Sequence, residues 1–287
     1  MTRAVVLGGG GVTGIAWEAG VARGLWAHGI DLTAADTFVG TSAGSVVATQ
    51  LAAGVAPEEL FRAQFRPASY ESSPMVDVDG LLEALARASR GATDARDARA
   101  RVGSVARSAS VGDPEARRSV IATRLAGLSW PTGLRVTAVD ADSGEVVVFD
   151  HTSGIDLVDA VAASCAVPGV YPTVTIGGRH YMDGGAASVA HADLAGDHAA
   201  VVVVAPISPE ATAATTALDD EVAALTAAGG HVVVVGPDLA YQHDAGAEPL
   251  NPGRRGDAAR AGEAFAARAA RRVRDVWADQ TTSYAAR

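Results

Sequence analysis

Three short stretches of this chain combine residue types that can do chemistry. The first is Gly40-Thr41-Ser42-Ala43-Gly44, which spells G-x-S-x-G. Between a strand and a helix this pattern makes a sharp, strained turn that lifts the serine hydroxyl above a sheet. The small residues Gly40, Ala43 and Gly44 let the backbone fold back on itself. Elsewhere the same letters make an ordinary turn in a Gly/Ala-rich chain. The second stretch is Asp183-Gly184-Gly185. It places a carboxylate at a strand end, where it could take the proton that a serine must lose to become a nucleophile. Asp-Gly is equally a common turn dipeptide. The third is Gly9-Gly10-Gly11-Val12-Thr13-Gly14, ahead of a helix. Free N–H groups there attract negative charge. They suit a dinucleotide pyrophosphate, as in G-x-G-x-x-G, or the oxyanion of a tetrahedral acyl intermediate. The glycines could also simply make a tight turn. Alone, this loop leans toward a nucleotide.

The elements needed to position these groups are legible. Ala4 to Leu7 is a short apolar run fit for a buried parallel strand. Ile15, Ala19, Ala22, Leu25 and Trp26 then recur at helical spacing, and His28-Gly29 closes that helix. Thr37-Phe38-Val39 is a second strand running into the serine turn, followed by a helix over Ser45 to Ala53. From about Pro57 to Leu128 the chain becomes rich in Ala, Arg and Glu. It predicts helices near 81–88, 94–106 and 114–126 and no strand, as expected of a helical insertion. Leu134–Val139 and Glu145–Phe149 read as a hairpin, as do 174–176 and 180–182 across Gly177-Gly178. After the helix over 158–165, strands follow at Ala200–Ala205 and His231–Val235, with a helix between them near 219–228. A Pro/Gly-bearing loop over 236–256 leads to a last helix over Ala258–Trp277. This alternation predicts a three-layer α/β/α fold with a largely parallel central sheet, one domain over residues 1–287 carrying the insertion at about 57–128.

Composition removes several functions. The net charge of −10 opposes nucleic-acid binding. All 23 cationic residues are arginine, which excludes Schiff-base chemistry and a Walker-type phosphate loop, both of which need lysine. Cys165 is the one cysteine, so no intramolecular disulfide forms. No stretch reads as a signal peptide or membrane span, and a cytoplasmic protein is expected. No His/Cys/Asp cluster has metal-ligand spacing, so neither metal nor other cofactor is expected. Six histidines follow Ser42 and four of these follow Asp183, so a histidine base is open by order alone. His180 lies an odd step from Asp183 and would face the other side of a continuous strand. Ser164 and Cys165 read as loop-shaping residues. For a dinucleotide site, Asp31 and Asp36 lie at the distance expected of a ribose-binding acid, but neither ends a convincing strand.

Taken in order, the three motifs resemble the patatin-like phospholipase family. That family has an N-terminal Gly-rich loop, G-x-S-x-G soon after, and Asp-Gly-Gly or Asp-Gly-Ala much later. The stretch 162–172, Ala-Ala-Ser-Cys-Ala-Val-Pro-Gly-Val-Tyr-Pro, is similar to its Ala-Ser-x-Ala-x-Pro segment. The resemblance runs from Val5 to about Gly185. It implies a lipid acyl hydrolase or esterase with a Ser–Asp dyad. Ser42 would be the nucleophile and Asp183 the base, with oxyanion donors at Gly9, Gly10 and Gly11. Gly14, Gly40, Gly44, Gly184 and Gly185 would support the motifs. The implied partner is a lipid or other acyl-ester substrate, with transient membrane-surface contact compatible with it. One departure stands out: where the family usually has Arg or Lys after the glycines, this chain has Thr13, which favours "esterase" over "phospholipase". A dinucleotide-binding oxidoreductase, a non-catalytic lipid-binding relative and an acyltransferase are the competing readings.

Overall fold

The computed structural model describes residues 1–67, 78–125, 127–207 and 216–278. Its centre is a sheet in which β8 (His231–Val235), β7 (Ala200–Val204), β1 (Arg3–Leu7), β2 (Thr37–Gly40) and β3 (Leu134–Asp140) lie side by side, all parallel. These strands are near-continuous apolar runs because both faces are covered. Their side chains alternate between two cores. Val5, Leu7, Val202 and Val204 join one face with the helices α1 (Gly11–Ala27), α2 (Ala43–Ala52), α7 (Leu157–Ser164) and α10 (Arg255–Trp277). Ala4, Val6, Val201 and Val203 join the other face with α8 (Leu218–Ala227) and the segment 189–195. The expected three layers are therefore present.

Helices α1 and α10 cross closely because small residues line the contact. A Cβ on Gly20 would stand 2.0 Å from Ala259 O, and one on Gly262 would stand 2.1 Å from Trp17 O. Between α2 and β3 the described chain is helical. α3 (Pro57–Ala63), α4 (Val78–Ser89), α5 (Ala95–Ser108) and α6 (Pro114–Leu125) follow one another there. Residues 68–77 and 126 of that stretch lie outside the described residues. α3 starts with Pro57 in its first turn and Glu58 and Glu59 beside it, a favourable N-terminus. α9 (Leu239–His243) and short 3-10 turns interrupt the segment that the sequence reads as loop.

The three remaining strands set up the site. β4 (Val146–Phe149) pairs antiparallel with β3 from Val136 to Val139, along one edge. The hairpin β5 (Val174–Ile176) and β6 (Arg179–Asp183) turns at Gly177-Gly178, both at positive φ. On the other edge of β3, Gly40 of β2 lies opposite Val136 and Asp183 of β6 opposite Ala138. β2 and β6 run toward each other along this one edge and stop with only Thr137 between their partners. The C-terminal ends of two strands far apart in sequence therefore meet there.

Candidate active site

Ser42 follows β2 and caps α2. Its backbone is at φ 52°, ψ −120°, a region that non-glycine residues avoid. Such strain costs about 1–3 kcal/mol and persists only where neighbours enforce it. Several enforce it here. Ser42 N–H donates to Ser164 Oγ at 2.9 Å, and Ser42 carbonyl accepts from Ser45 Oγ at 2.6 Å and from Cys165 Sγ at 3.2 Å. Thr41 and Thr137 hydroxyls bond at 2.8 Å beneath the turn. Gly44 passes so close to β1 that a Cβ would stand 2.1 Å from Leu7 O, and its N–H donates to Gly8 O at 2.9 Å. A side chain at Gly40 would strike Ser45 Cα, and one at Gly14 would just touch Ala43 Cβ.

Ser42 Oγ donates to Asp183 Oδ2 at 2.6 Å, across 141 residues of chain. The other carboxylate oxygen accepts from Gly185 N–H at 2.7 Å. Gly184 packs on Thr137, and Asp183 N–H is held by Ala166 O at 2.9 Å. Ser42 and Asp183 are only 8% and 4% exposed. Burial pushes the Asp183 carboxyl up to about 6, although the Ser42 hydroxyl, the Gly185 N–H and the charge of Arg117 each pull it down. A base poised near neutrality can both take a proton and return it.

None of the seven histidines bonds to Ser42. His180 Nδ1 pairs with Thr175 Oγ1 at 3.1 Å, away from the serine, as the odd step to Asp183 predicts. His191 is buried, desolvation pushes its imidazole below the usual histidine range, and its Nε2 lies 3.0 Å from Gly184 O.

The glycine loop stands beside this pair: a Cβ built on Gly9 would lie 3.7 Å from Ser42 Cβ. Its amides are not equivalent. Gly9 N–H donates to Val189 O at 2.7 Å and Thr13 N–H to Pro249 O at 3.2 Å. Gly10, Gly11 and Val12, at the start of α1, have no backbone acceptor among the described residues. Gly11 sits at φ 66°, and a Cβ there would be 2.4 Å from Pro249 O. The protein's own Pro249 thus occupies space beside the loop. Asp31 accepts from Thr33, and Asp36 accepts from Arg3 N–H before β2 begins. Both are at the end of β2 remote from the glycines, so neither can reach a ribose held at the loop.

A narrow cavity of about 20 Å³ opens over Ser42, lined by Gly11, Val12, Ile15, Arg117, Arg124, Cys165, Tyr171 and Leu250 among others. Val12, Ile15 and Arg124 also line a larger, mainly apolar cavity of about 400 Å³, walled by Val46, Val55, Leu60, Ala63, Leu125 and Leu128. Sequence reasoning does not find Arg117, Arg124 or Leu250. They lie in an Arg-rich helix and a Pro/Gly loop, neither with a motif. Ser164 does carry a signal, in Ala-Ser-x-Ala. Among the described residues no cluster of His, Cys, Asp or Glu could hold a metal, and no helix is long and apolar enough to cross a membrane.

A strained serine on a strand-to-helix turn, bonded to a buried carboxylate under an open helix N-terminus, is an arrangement suited to acyl transfer. The patatin-like phospholipase family model matches residues 5–195, and the chain belongs to that family. No curated protein matches the chain. Among solved structures, the type III effector protein ExoU aligns with 95% of this chain at 17% identity and TM-score 0.43. VipD from Legionella pneumophila aligns with 94% at 14% identity and TM-score 0.48. The full-length SpcU–ExoU complex from Pseudomonas aeruginosa aligns with 90% at 20% identity and TM-score 0.38. The chain spans 53% of the first ExoU chain, 67% of VipD and 52% of the chain in the complex.

Proposed function

We propose that this protein hydrolyses acyl esters of lipids through a Ser42–Asp183 dyad and an acyl-enzyme. The observation that carries this reading is the 2.6 Å bond from Ser42 Oγ to Asp183 Oδ2, made by a serine held at positive φ. Ser42 Oγ attacks the ester carbonyl and its proton passes to Asp183. The carbonyl C–O bond to the alcohol then breaks, and the alcohol leaves with that proton. Water attacks the acyl-enzyme, giving its proton to Asp183, and the released Ser42 Oγ recovers it. The negative charge of each tetrahedral intermediate falls to the unpaired amides at the start of α1. Because Gly9 N–H is taken by Val189 O, this reading narrows the donors from Gly9, Gly10 and Gly11 to the latter two, with Val12 beside them. Removing one such donor typically costs on the order of 10²–10³ in turnover.

The remote positions of Asp31 and Asp36, and Pro249 against the glycines, argue against a dinucleotide. Transfer of the acyl group to another alcohol would use the same intermediate and is distinguished by its product. The apolar cavity beside Ser42 supports a substrate with a hydrocarbon chain. The test is labelling with a neutral fluorophosphonate, followed by peptide mapping. Label on Ser42, lost in Ser42→Ala, is expected. Labelling that survives Ser42→Ala in hydrolytically active protein refutes the proposal.

A further inference from the structure

We infer that Arg117 forms an anion subsite at the mouth of the Ser42 cavity, receiving a phosphate or carboxylate carried near the scissile ester. This inference rests on the acyl-hydrolase reading and adds what the substrate must bear.

Arg117 and Arg118 are neighbours on α6 with opposite fates. Arg118 turns to α7 and pairs with Asp156 at 3.1 Å and Asp159 at 2.5 Å. Arg117 lines the cavity over Ser42 and pairs with no carboxylate among the described residues. Its Nε is shut off from solvent without a hydrogen-bond acceptor. A buried donor left unpaired costs about 1–3 kcal/mol, so the position is unfavourable unless something occupies it in use. The guanidinium carbon lies 3.7 Å from the centroid of the Tyr171 ring. This contact holds the guanidinium against the ring, and the planar fork of donors that a guanidinium carries suits a planar or tetrahedral oxyanion. Arg117 is also near enough to the dyad for its charge to act on Asp183. The chain lacks a cation after the glycines, where Thr13 stands instead. Its N–H goes to Pro249 O and its hydroxyl meets Tyr241 at 3.5 Å. Arg117 instead places positive charge in the lining of the Ser42 cavity from another element, in a protein of net charge −10.

The charged group could belong to a lipid headgroup or to a water-soluble acyl ester. Two matched pairs separate these sources: 1-butyrylglycerol 3-phosphate against 1-butyrylglycerol, and 1-oleoylglycerol 3-phosphate against 1-oleoylglycerol. The readout is the ratio of kcat/KM within each pair. Assay at about pH 8 keeps Asp183 ionised even after the nearby charge is removed. The wild type should prefer the phosphate-bearing ester in at least one pair, and that pair identifies the source. Arg117→Gln should lower the ratio roughly 10- to 100-fold, the range for losing a hydrogen bond to a charged group. Arg117→Lys, which keeps the charge but not the fork, should lower it less. Arg118→Gln should leave the ratio at the wild-type value. No preference in either pair, with Ser42 labelled by fluorophosphonate, overturns the subsite alone. So does a preference that survives Arg117→Gln, or equal losses on both members of a pair. No turnover and no labelling of Ser42 overturn the acyl-hydrolase reading and the subsite together.

Discussion

Replacing Asp183 by asparagine should abolish turnover and stabilise the fold, and the pH dependence of the second effect reports its cause. The Asp183 carboxyl is buried, and burial raises it from 3.8 to about 6. A folded-state value above the unfolded one means that the native state binds this proton more tightly. Stability is therefore highest at acid pH with respect to this group. It falls as pH rises through the interval from 3.8 to about 6, and the full cost is present above it. At about 1.4 kcal/mol per pKa unit, ionised Asp183 costs about 3 kcal/mol. Asparagine has the same shape and no charge. It can still accept from Gly185 N–H and donate to Ser42 Oγ. Urea unfolding of both proteins between about pH 4 and pH 8 tests this. The variant should match the wild type at the acid end and exceed it by about 2–3 kcal/mol at the alkaline end, with kcat reduced at least ~10³-fold. A difference that does not vary with pH, or a variant that becomes relatively less stable as pH rises, would refute the argument. It would mean that the hydrogen bonds and Arg117 outweigh desolvation and hold the carboxylate ionised.

The remaining expectations follow from the same geometry. Wild-type kcat/KM should rise with pH through a single ionisation near 6, since the proposed proton acceptor is ionised Asp183, and plateau above it; a pH–rate profile reports this. Ser42→Gly should be more stable than Ser42→Ala by about 1 kcal/mol in chemical denaturation, because both lose Oγ but only glycine accepts φ 52° without strain. Gly44→Ala should prevent correct folding, with a Cβ 2.1 Å from Leu7 O, whereas Gly14→Ala, 3.4 Å from Ala43 Cβ, should cost less than about 1.5 kcal/mol. Circular dichroism and thermal melts separate these two outcomes. Cys165 is buried and desolvation pushes its thiol up, so a disulfide reagent should modify it slowly in native protein and rapidly in urea.

Much of the molecule is written locally. The apolar runs at β1, β7 and β8, the Gly-bounded helices and the Gly177-Gly178 hairpin depend on residues close in sequence, where periodicity and turn chemistry are decisive. The three motifs likewise announced their residue types and their places at strand ends, and the sequence alone already pointed to Ser42 and Asp183. It could not say that they touch. That contact follows from register: β2 ends opposite Val136 and β6 opposite Ala138, on one edge of β3, so Ser42 and Asp183, 141 residues apart, converge. The same holds for the glycine amides, which look alike in sequence until Val189 O takes Gly9 N–H and Pro249 O takes Thr13 N–H. Arg117 carries no motif at all. It gains its place because α6 packs over the serine turn with that side chain on Tyr171, while its neighbour finds two acids at the start of α7. Hydrogen-bond competition and charge pairing act between elements distant in the chain, so only the tertiary structure decides them.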